Sequence, residues 1–392
     1  MGQMTQDTTD PETFRADLRD WLQANCPDEM RDGDTSDDSI CWGGKNWTFA
    51  SAAQKDWLNR CAAQGYTVPT WPKAYGGAGL DRAREKVFHE EMARINARPP
   101  LLSFGIWMLG PALLHFGTEE QKQQYLPPIA RGEIRWCQGY SEPGAGSDLA
   151  SLQTKCEDKG DHWLINGQKI WTSYADKADW IFALVRTDGD APKHKGISFV
   201  LMDMYSKGVS TRPIKLISGV SPFCETFFDD VQVPRHQVVG EVNRGWDVAK
   251  YLLTHERQMI SASGGGRDGA RALGAILTED SGGLLDTTLR AQALRAEVDS
   301  LAVGLTLERY KDMAQTTGVG DASAMLKYVG TELNKRRHEL LMASGGSDAL
   351  EWNGPHGSRP ADWLRTKANS IEGGTSEVML SIISRRVLGL PG

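Results

Sequence analysis

The hydrophobic period of this chain changes twice, and that order limits the possible folds. Between residues 11 and about 135 apolar side chains recur at helical spacing, as in Phe14, Leu18, Trp21 and Leu22 behind Pro11, Glu12 and Thr13. Helices are predicted over about 51–64, 81–96, 101–116 and 118–131. A long polar surface loop is predicted over 28–48, and a turn-rich segment from Trp71 to Gly79. The middle of the chain reads differently. Trp163–Ile165 and Ile170–Trp171 flank Asn166-Gly167, a dipeptide that favours a tight hairpin because both residues tolerate positive φ. Trp180–Arg186, Ile197–Met204 and Glu225–Val233 read as further strands. From about Gly245 helical spacing returns, first through Trp246, Ala249, Leu253 and Ile260, then over about 287–316, 322–344 and 375–389. Strands not interleaved with helices argue against βαβ units. They predict an α+β fold with an antiparallel barrel or sandwich in the middle. The expected domains are 1–135, 136–243 and 244–392.

Composition narrows the function classes. The 392 residues carry 44 Lys plus Arg and 51 Asp plus Glu, a net charge of −7. That acidic balance argues against sequence-independent nucleic-acid binding, which needs a basic face. No apolar run approaches the roughly 18 residues of a membrane span. Met1 to Asp10 is polar and acidic, unlike a signal or transit peptide, so a cytoplasmic location is expected. Six cysteines without a C-x-x-C pair argue against a disulfide scaffold or a zinc ribbon, and no metal site is expected.

Four segments carry possible chemistry. Gln138-Gly-Tyr-Ser-Glu-Pro-Gly-Ala-Gly-Ser-Asp148 would expose backbone N–H groups to an anionic or carbonyl-rich ligand. Its spacing is not that of a dinucleotide fingerprint, and alone it is equally an ordinary Gly-rich loop. Trp171-Thr-Ser173 ends a predicted strand, where the indole could flank a flat heteroaromatic ring or simply fill the core. Glu256, with Leu252, Leu253, Met259 and Ile260 three to four residues away, sits on the apolar face of its helix. A carboxylate there is either ion-paired or a general base with a raised pKa. Ser370-Ile-Glu-Gly-Gly-Thr-Ser-Glu377 reads as a loop entering a helix, either an anion site or a plain cap.

In this order and spacing the segments resemble the acyl-CoA dehydrogenase family of flavoproteins. Gly139 to Ser151, Asn166 to Ser173, Trp71 to Leu80 and Gly373 to Val378 with Arg386-Val-Leu-Gly389 all look like family motifs, and the likeness spans about residues 10 to 390. The resemblance implies a helical N-terminal domain, a β middle domain and a C-terminal four-helix bundle. It implies FAD and α,β-dehydrogenation of an acyl-CoA thioester to the 2-enoyl-CoA, with electrons passed to an electron-transferring flavoprotein. By resemblance, Gln138, Tyr140, Ser141, Gly146 and Ser147 hold the flavin, and Ser147 also reaches the CoA arm. Trp171 and Ser173 flank the ring, and Thr375 and Glu377 lie on its phosphate and adenosine side. Arg257 and Gly373 match substrate-side positions.

The resemblance offers two positions for the base. Straight-chain members carry a Glu directly before Gly-Thr-Ser. Here that position is Gly373, and the acid stands one step earlier at Glu372. Other members use the Glu of a Glu-Arg pair in the first C-terminal helix, which is Glu256 here. Glu256 is therefore the expected base and Glu372 the second choice. The family's Arg-x-x-Phe-Gly segment is missing. Gly264 to Gly266, Asp280 to Gly283 and Ala343 to Trp352 depart from the pattern, which puts cross-subunit FAD contacts in question. Both a homodimer or homotetramer and a hetero-oligomer with a second such chain remain open. So do an acyl-CoA oxidase or nitroalkane-oxidase-like reaction, and a non-catalytic partner subunit.

Overall fold

The computed structural model describes residues 10–34, 36, 39–253, 267–283, 285–313, 319–352 and 354–391. They form two compact units. The first comprises Met1–Pro143, Ala150–Arg212 and Cys224–Val248; the second comprises Gly144–Leu149, Pro213–Phe223 and Ala249–Gly392.

In the first unit five helices precede the sheet: α1 (Pro11–Asn25), α2 (Ala52–Gln64), α3 (Arg82–Arg94), α4 (Gly110–Phe116) and α5 (Glu119–Ala130). Local chemistry sets their ends. Asp10 caps α1 by accepting from the N–H groups of Glu12 and Thr13, with Pro11 at the first helical turn. Ser51 caps α2, which stops at Gly65 in the left-handed region, φ 74°. Thr118 and Gln121 form a reciprocal capping box on α5. Leu18, Leu22, Trp57, Cys61, Phe88 and Met92 fill the core among α1, α2 and α3. The predicted 101–116 helix begins instead with a π turn over Gly105–Leu109 before α4. Gly110 stands there because a Cβ would lie 2.0 Å from Cζ2 of Trp71.

The sheet has eight strands: β1 (Trp136–Gly139), β2 (Lys155–Asp158), β3 (His162–Ser173), β4 (Trp180–Arg186), β5 (Ile197–Asp203), β6 (Val209–Ile214), β7 (Phe223–Pro234) and β8 (Val238–Val239). Seven run in the order β6-β7-β3-β2-β4-β5-β8, and β1 pairs with β4. The β2–β3, β4–β5 and β5–β8 pairings are antiparallel as predicted, but β1 and β2 both run parallel to β4, with Trp136 opposite Trp180, Gly139 opposite Ala183 and Lys155 opposite Arg186. The long connection through β2 and β3 permits this, since parallel neighbours need a crossover.

The Asn166-Gly167 hairpin does not form; β3 continues through it. The Asn166 amide donates to the Asp230 carboxylate at 2.9 Å and accepts from the Asp230 N–H at 2.8 Å, so it binds β7 instead of closing a turn. Gly167, at φ 151°, lets β2 approach, because a Cβ would meet the Thr154 Cα at 2.8 Å. Long-range pairing overrides the local turn preference here.

The first C-terminal helix, α6, spans 245–253 among the described residues. The remaining helices are α7 (Arg267–Asp280), α8 (Thr287–Met313), α9 (Ser323–Gly345), α10 (Arg359–Thr366) and α11 (Ser376–Ile382). Leu273 and Leu277 of α7, Ala293 and Ala296 of α8 and Leu340 and Leu341 of α9 share one core. Two segments that depart from the family pattern meet in this unit. Ser344 donates to Asp280 at 2.9 Å, and Arg359 donates to the same carboxylate at 2.5 and 3.3 Å.

Candidate active site

In the first unit the candidate site grows from the ends of β1 and β3. Gly139 lies in the sheet where a Cβ would come within 2.6 Å of Ile181. Beyond it the Tyr140 ring is buried, edge-on to Phe182 and Phe199. Ser141 follows, and its carbonyl accepts from the Ile170 N–H at 2.9 Å. That bond brings the 138–141 stretch beside the 170–173 stretch of β3. Trp171 has φ 60° and is 52% exposed. A bulky residue in the left-handed region is strained, and such strain concentrates at ligand sites. Its neighbour Thr172 is fully buried, with a side-chain oxygen lacking any partner among the described residues.

The loop after Ser141 is held by a pair that the sequence reading did not single out. Lys169 on β3 is completely buried and donates to Glu142 at 2.7 Å and to the Tyr140 carbonyl at 3.2 Å. Glu142 in turn accepts from the N–H groups of Gln153 at 2.6 Å and Thr154 at 2.9 Å. Burial lowers the Lys169 pKa to about 8. Burial would raise Glu142, but Lys169 and the Thr154 and Gln153 donors outweigh it and hold the carboxylate below its ordinary value. The pair therefore clamps both ends of the Gly-rich loop. The only sequence signal was a Lys in the alternation of β3 whose face turns inward.

Gly144 to Leu149 are counted with the second unit. Gly146 and Ser147 are exposed, and no atom lies within 4 Å of where a Cβ would stand on Gly144 or Gly146. Such open glycines leave the backbone free to meet a ligand.

Elsewhere in the second unit Gly373 and Gly374 both have positive φ, 64° and 99°. Thr375 then caps α11, accepting from the Val378 N–H at 3.2 Å, and Glu377 lies exposed in its first turn. Glu372 accepts from Arg365 at 2.8 and 3.3 Å and from Asn369 at 2.5 Å. Its carboxylate is thus engaged by a guanidinium fork. Glu256 and Arg257 lie outside the described residues. Among the described residues no cluster of His, Cys, Asp or Glu could hold a metal, and all six cysteines are buried and free. No helix among them is long and apolar enough to cross a membrane.

Family models for the N-terminal, middle and C-terminal domains of acyl-CoA dehydrogenases match residues 8–133, 137–231 and 243–388. The chain belongs to the acyl-CoA dehydrogenase family. Members of this family are FAD-dependent oxidoreductases acting on CH–CH groups. The chain is similar to acyl-CoA dehydrogenase IpdE1 of Mycobacterium tuberculosis, 37% identical over 97% of this chain and 98% of that one. It is similar to IpdE1 of Mycolicibacterium smegmatis at 35% identity, over 96% and 97%. Among solved structures it resembles the Tcur3481-Tcur3483 steroid acyl-CoA dehydrogenase, with TM-score 0.78, 30% identity and coverage of 98% and 100%. The ChsE4-ChsE5 complex of Mycobacterium tuberculosis gives TM-score 0.75 at 28% identity, with both chains fully covered. An acyl-CoA dehydrogenase flavin fits the residues found in the first unit: a half-exposed indole at Trp171 and, next to it, the buried Thr172 hydroxyl with no partner among the described residues.

Proposed function

We propose that this acyl-CoA dehydrogenase removes the α-proton and β-hydride of an acyl-CoA thioester, with Glu256 as the base. The observation that carries the reading is the strained, half-exposed Trp171 beside Ser141, at the positions where the family motifs flank the flavin. Bound FAD supplies the acceptor for the β-hydride.

The chain's own residues supply the rest. Trp171 and Ser173 flank the ring. Gln138, Tyr140, Ser141, Gly146 and Ser147 hold it, with Ser147 and Arg257 also on the substrate side. Thr375 and Glu377 serve the phosphate and adenosine side, and Gly373 leaves room for the thioester. By sequence spacing, a carboxylate at 256 falls on the helix face that carries Leu252, Leu253, Met259 and Ile260, which supports a general-base role for it. Arg365 and Asn369 already occupy the Glu372 carboxylate, which supports Glu256 over Glu372. An electron-transferring flavoprotein is the proposed acceptor. The two-chain assemblies among similar structures support a hetero-oligomer as the working form.

Glu256→Gln tests the base. It should keep FAD and its absorbance, yet slow anaerobic flavin bleaching by acyl-CoA roughly 10²–10⁴-fold. Undiminished bleaching in E256Q, with loss in Glu372→Gln, would reverse the assignment. Stoichiometric peroxide in air would replace the dehydrogenase reading with an oxidase.

A further inference from the structure

A cavity of about 460 Å³ in the first unit is lined by Asn46, Trp47, Arg135, Asp176, Lys177 and Thr211, among others. Arg135, the last residue before β1, is only 4% exposed. Its guanidinium carbon lies 5.1 Å from the Trp42 ring, 5.9 Å from Trp47 and 5.0 Å from Tyr174. No carboxylate or other acceptor among the described residues reaches the guanidinium. The two nearby acids are engaged elsewhere. Asp179 accepts from the N–H groups of Arg135 at 2.8 Å and Lys45 at 3.0 Å, and from the Tyr205 hydroxyl at 3.1 Å. Asp176 accepts from the Cys224 thiol at 3.5 Å. Burial pushes the Arg135 pKa down, partly offset by Tyr174 and Asp176, as expected of a desolvated cation without a close partner.

The surroundings are built to hold this arrangement. The expected solvated loop over 28–48 packs at its end, where Cys41 and Gly43 are buried. Gly43 and Gly44 take φ 68° and 107°, and a Cβ on Gly44 would lie 2.8 Å from that of Arg135. The two glycines let the loop press against Arg135, and the Asp179 bond to Lys45 fixes it, so Trp42 and Trp47 lie across the guanidinium. With aromatic rings over its faces, the N–H edge is what remains for a ligand. A planar, bidentate acceptor matches that edge, and Lys177 adds a second positive charge in the cavity wall.

We propose that this cavity binds a carboxylate group on Arg135. Two sources share that chemistry, the free end of an ω-carboxylated acyl-CoA and a separate small carboxylate; the first rests on the acyl-CoA reading above. Ala175 in the cavity wall stands two residues after Ser173, so the cavity lies close in sequence to the proposed flavin flank.

The test measures Tm of the FAD-bound protein, in whatever oligomer it forms, with succinate against succinamide and with adipyl-CoA against hexanoyl-CoA. At least one carboxylated probe should raise Tm by several degrees more than its uncharged counterpart. Arg135→Gln should abolish that difference, and Arg135→Lys, which keeps the charge and loses the fork, should reduce it. A succinate effect assigns the free carboxylate, and an effect of adipyl-CoA alone assigns the substrate end. The proposal fails if wild type shows neither difference, if the difference survives in R135Q, or if inorganic phosphate matches the carboxylates. Because the readout is stabilisation, it stands apart from turnover. Arg135-dependent succinate binding in a protein that bleaches with no acyl-CoA would sink the dehydrogenase reading and leave this one intact.

Discussion

Two buried carboxylates in the first unit solve the same problem in different ways. Glu142, beside the Gly-rich loop, faces Lys169, which is itself entirely buried, and accepts two backbone N–H groups. Glu91 on α3, 1% exposed, is surrounded by Arg15, Arg19 and Arg94, whose side chains are 21%, 49% and 46% exposed. No backbone N–H bonds to Glu91 appear among the described residues. The first site desolvates both charges and ties them to main chain that shapes the candidate site. The second desolvates only the acid and leaves its cations reaching into water, where they fasten α1 to α3. The difference predicts which site tolerates loss of a partner.

The largest effect should come from Lys169→Met. It leaves Glu142 buried without its cation, and breaking such a pair costs about 3–5 kcal/mol. Urea unfolding should show that loss, and the 450 nm absorbance of the purified protein should fall as the 140–154 loop loosens and FAD affinity drops. Full stability with full FAD in K169M would break the comparison. The double variant Lys169→Met, Glu142→Leu sharpens it. Apolar replacement of a buried ion pair often restores stability, but here Gln153 and Thr154 would each lose an acceptor, at about 1–3 kcal/mol per buried group. The double variant should therefore be no more stable than K169M, and recovery to wild type would show that the backbone bonds carry nothing.

The two sites also mark how far the sequence could be read. The helix–strand–helix order, the β4 and β5 strands and the cap of α11 follow from residues near one another, so periodicity and capping chemistry found them. Asn166-Gly167 misled because its usual turn is a local preference, and the Asp230 partner 64 residues away decides otherwise. Glu142 stood inside the recognised motif and Lys169 inside the recognised strand, yet their pairing depends on the β1–β3 neighbourhood that no local pattern encodes. Arg135 was passed over for a related reason: its importance lies in the carboxylate it does not meet, and only packing reveals that. Trp171 was legible as a position, whereas its left-handed backbone was not.

Glu91→Gln should have the smallest effect, and it tests the other half of the comparison. The guanidiniums released by the substitution can turn to solvent, which screens them, so the loss at neutral pH should be about 1 kcal/mol, well below that of K169M. Its pH dependence is distinctive. Hydrogen bonds from Arg19, against the opposing effect of burial and with help from Arg94 and Arg15, lower the Glu91 pKa from 4.5 to about 2. A group depressed in the folded state contributes stability that is fully present above its unfolded pKa and is lost as pH falls through the folded one. Wild type should therefore be more stable than E91Q above about pH 4.5, and the gap should close as pH falls toward 2. Denaturant midpoints of both proteins across that window would show it. A gap that stayed constant down to pH 2 would mean that the charge of Glu91 is not what fastens α1 to α3.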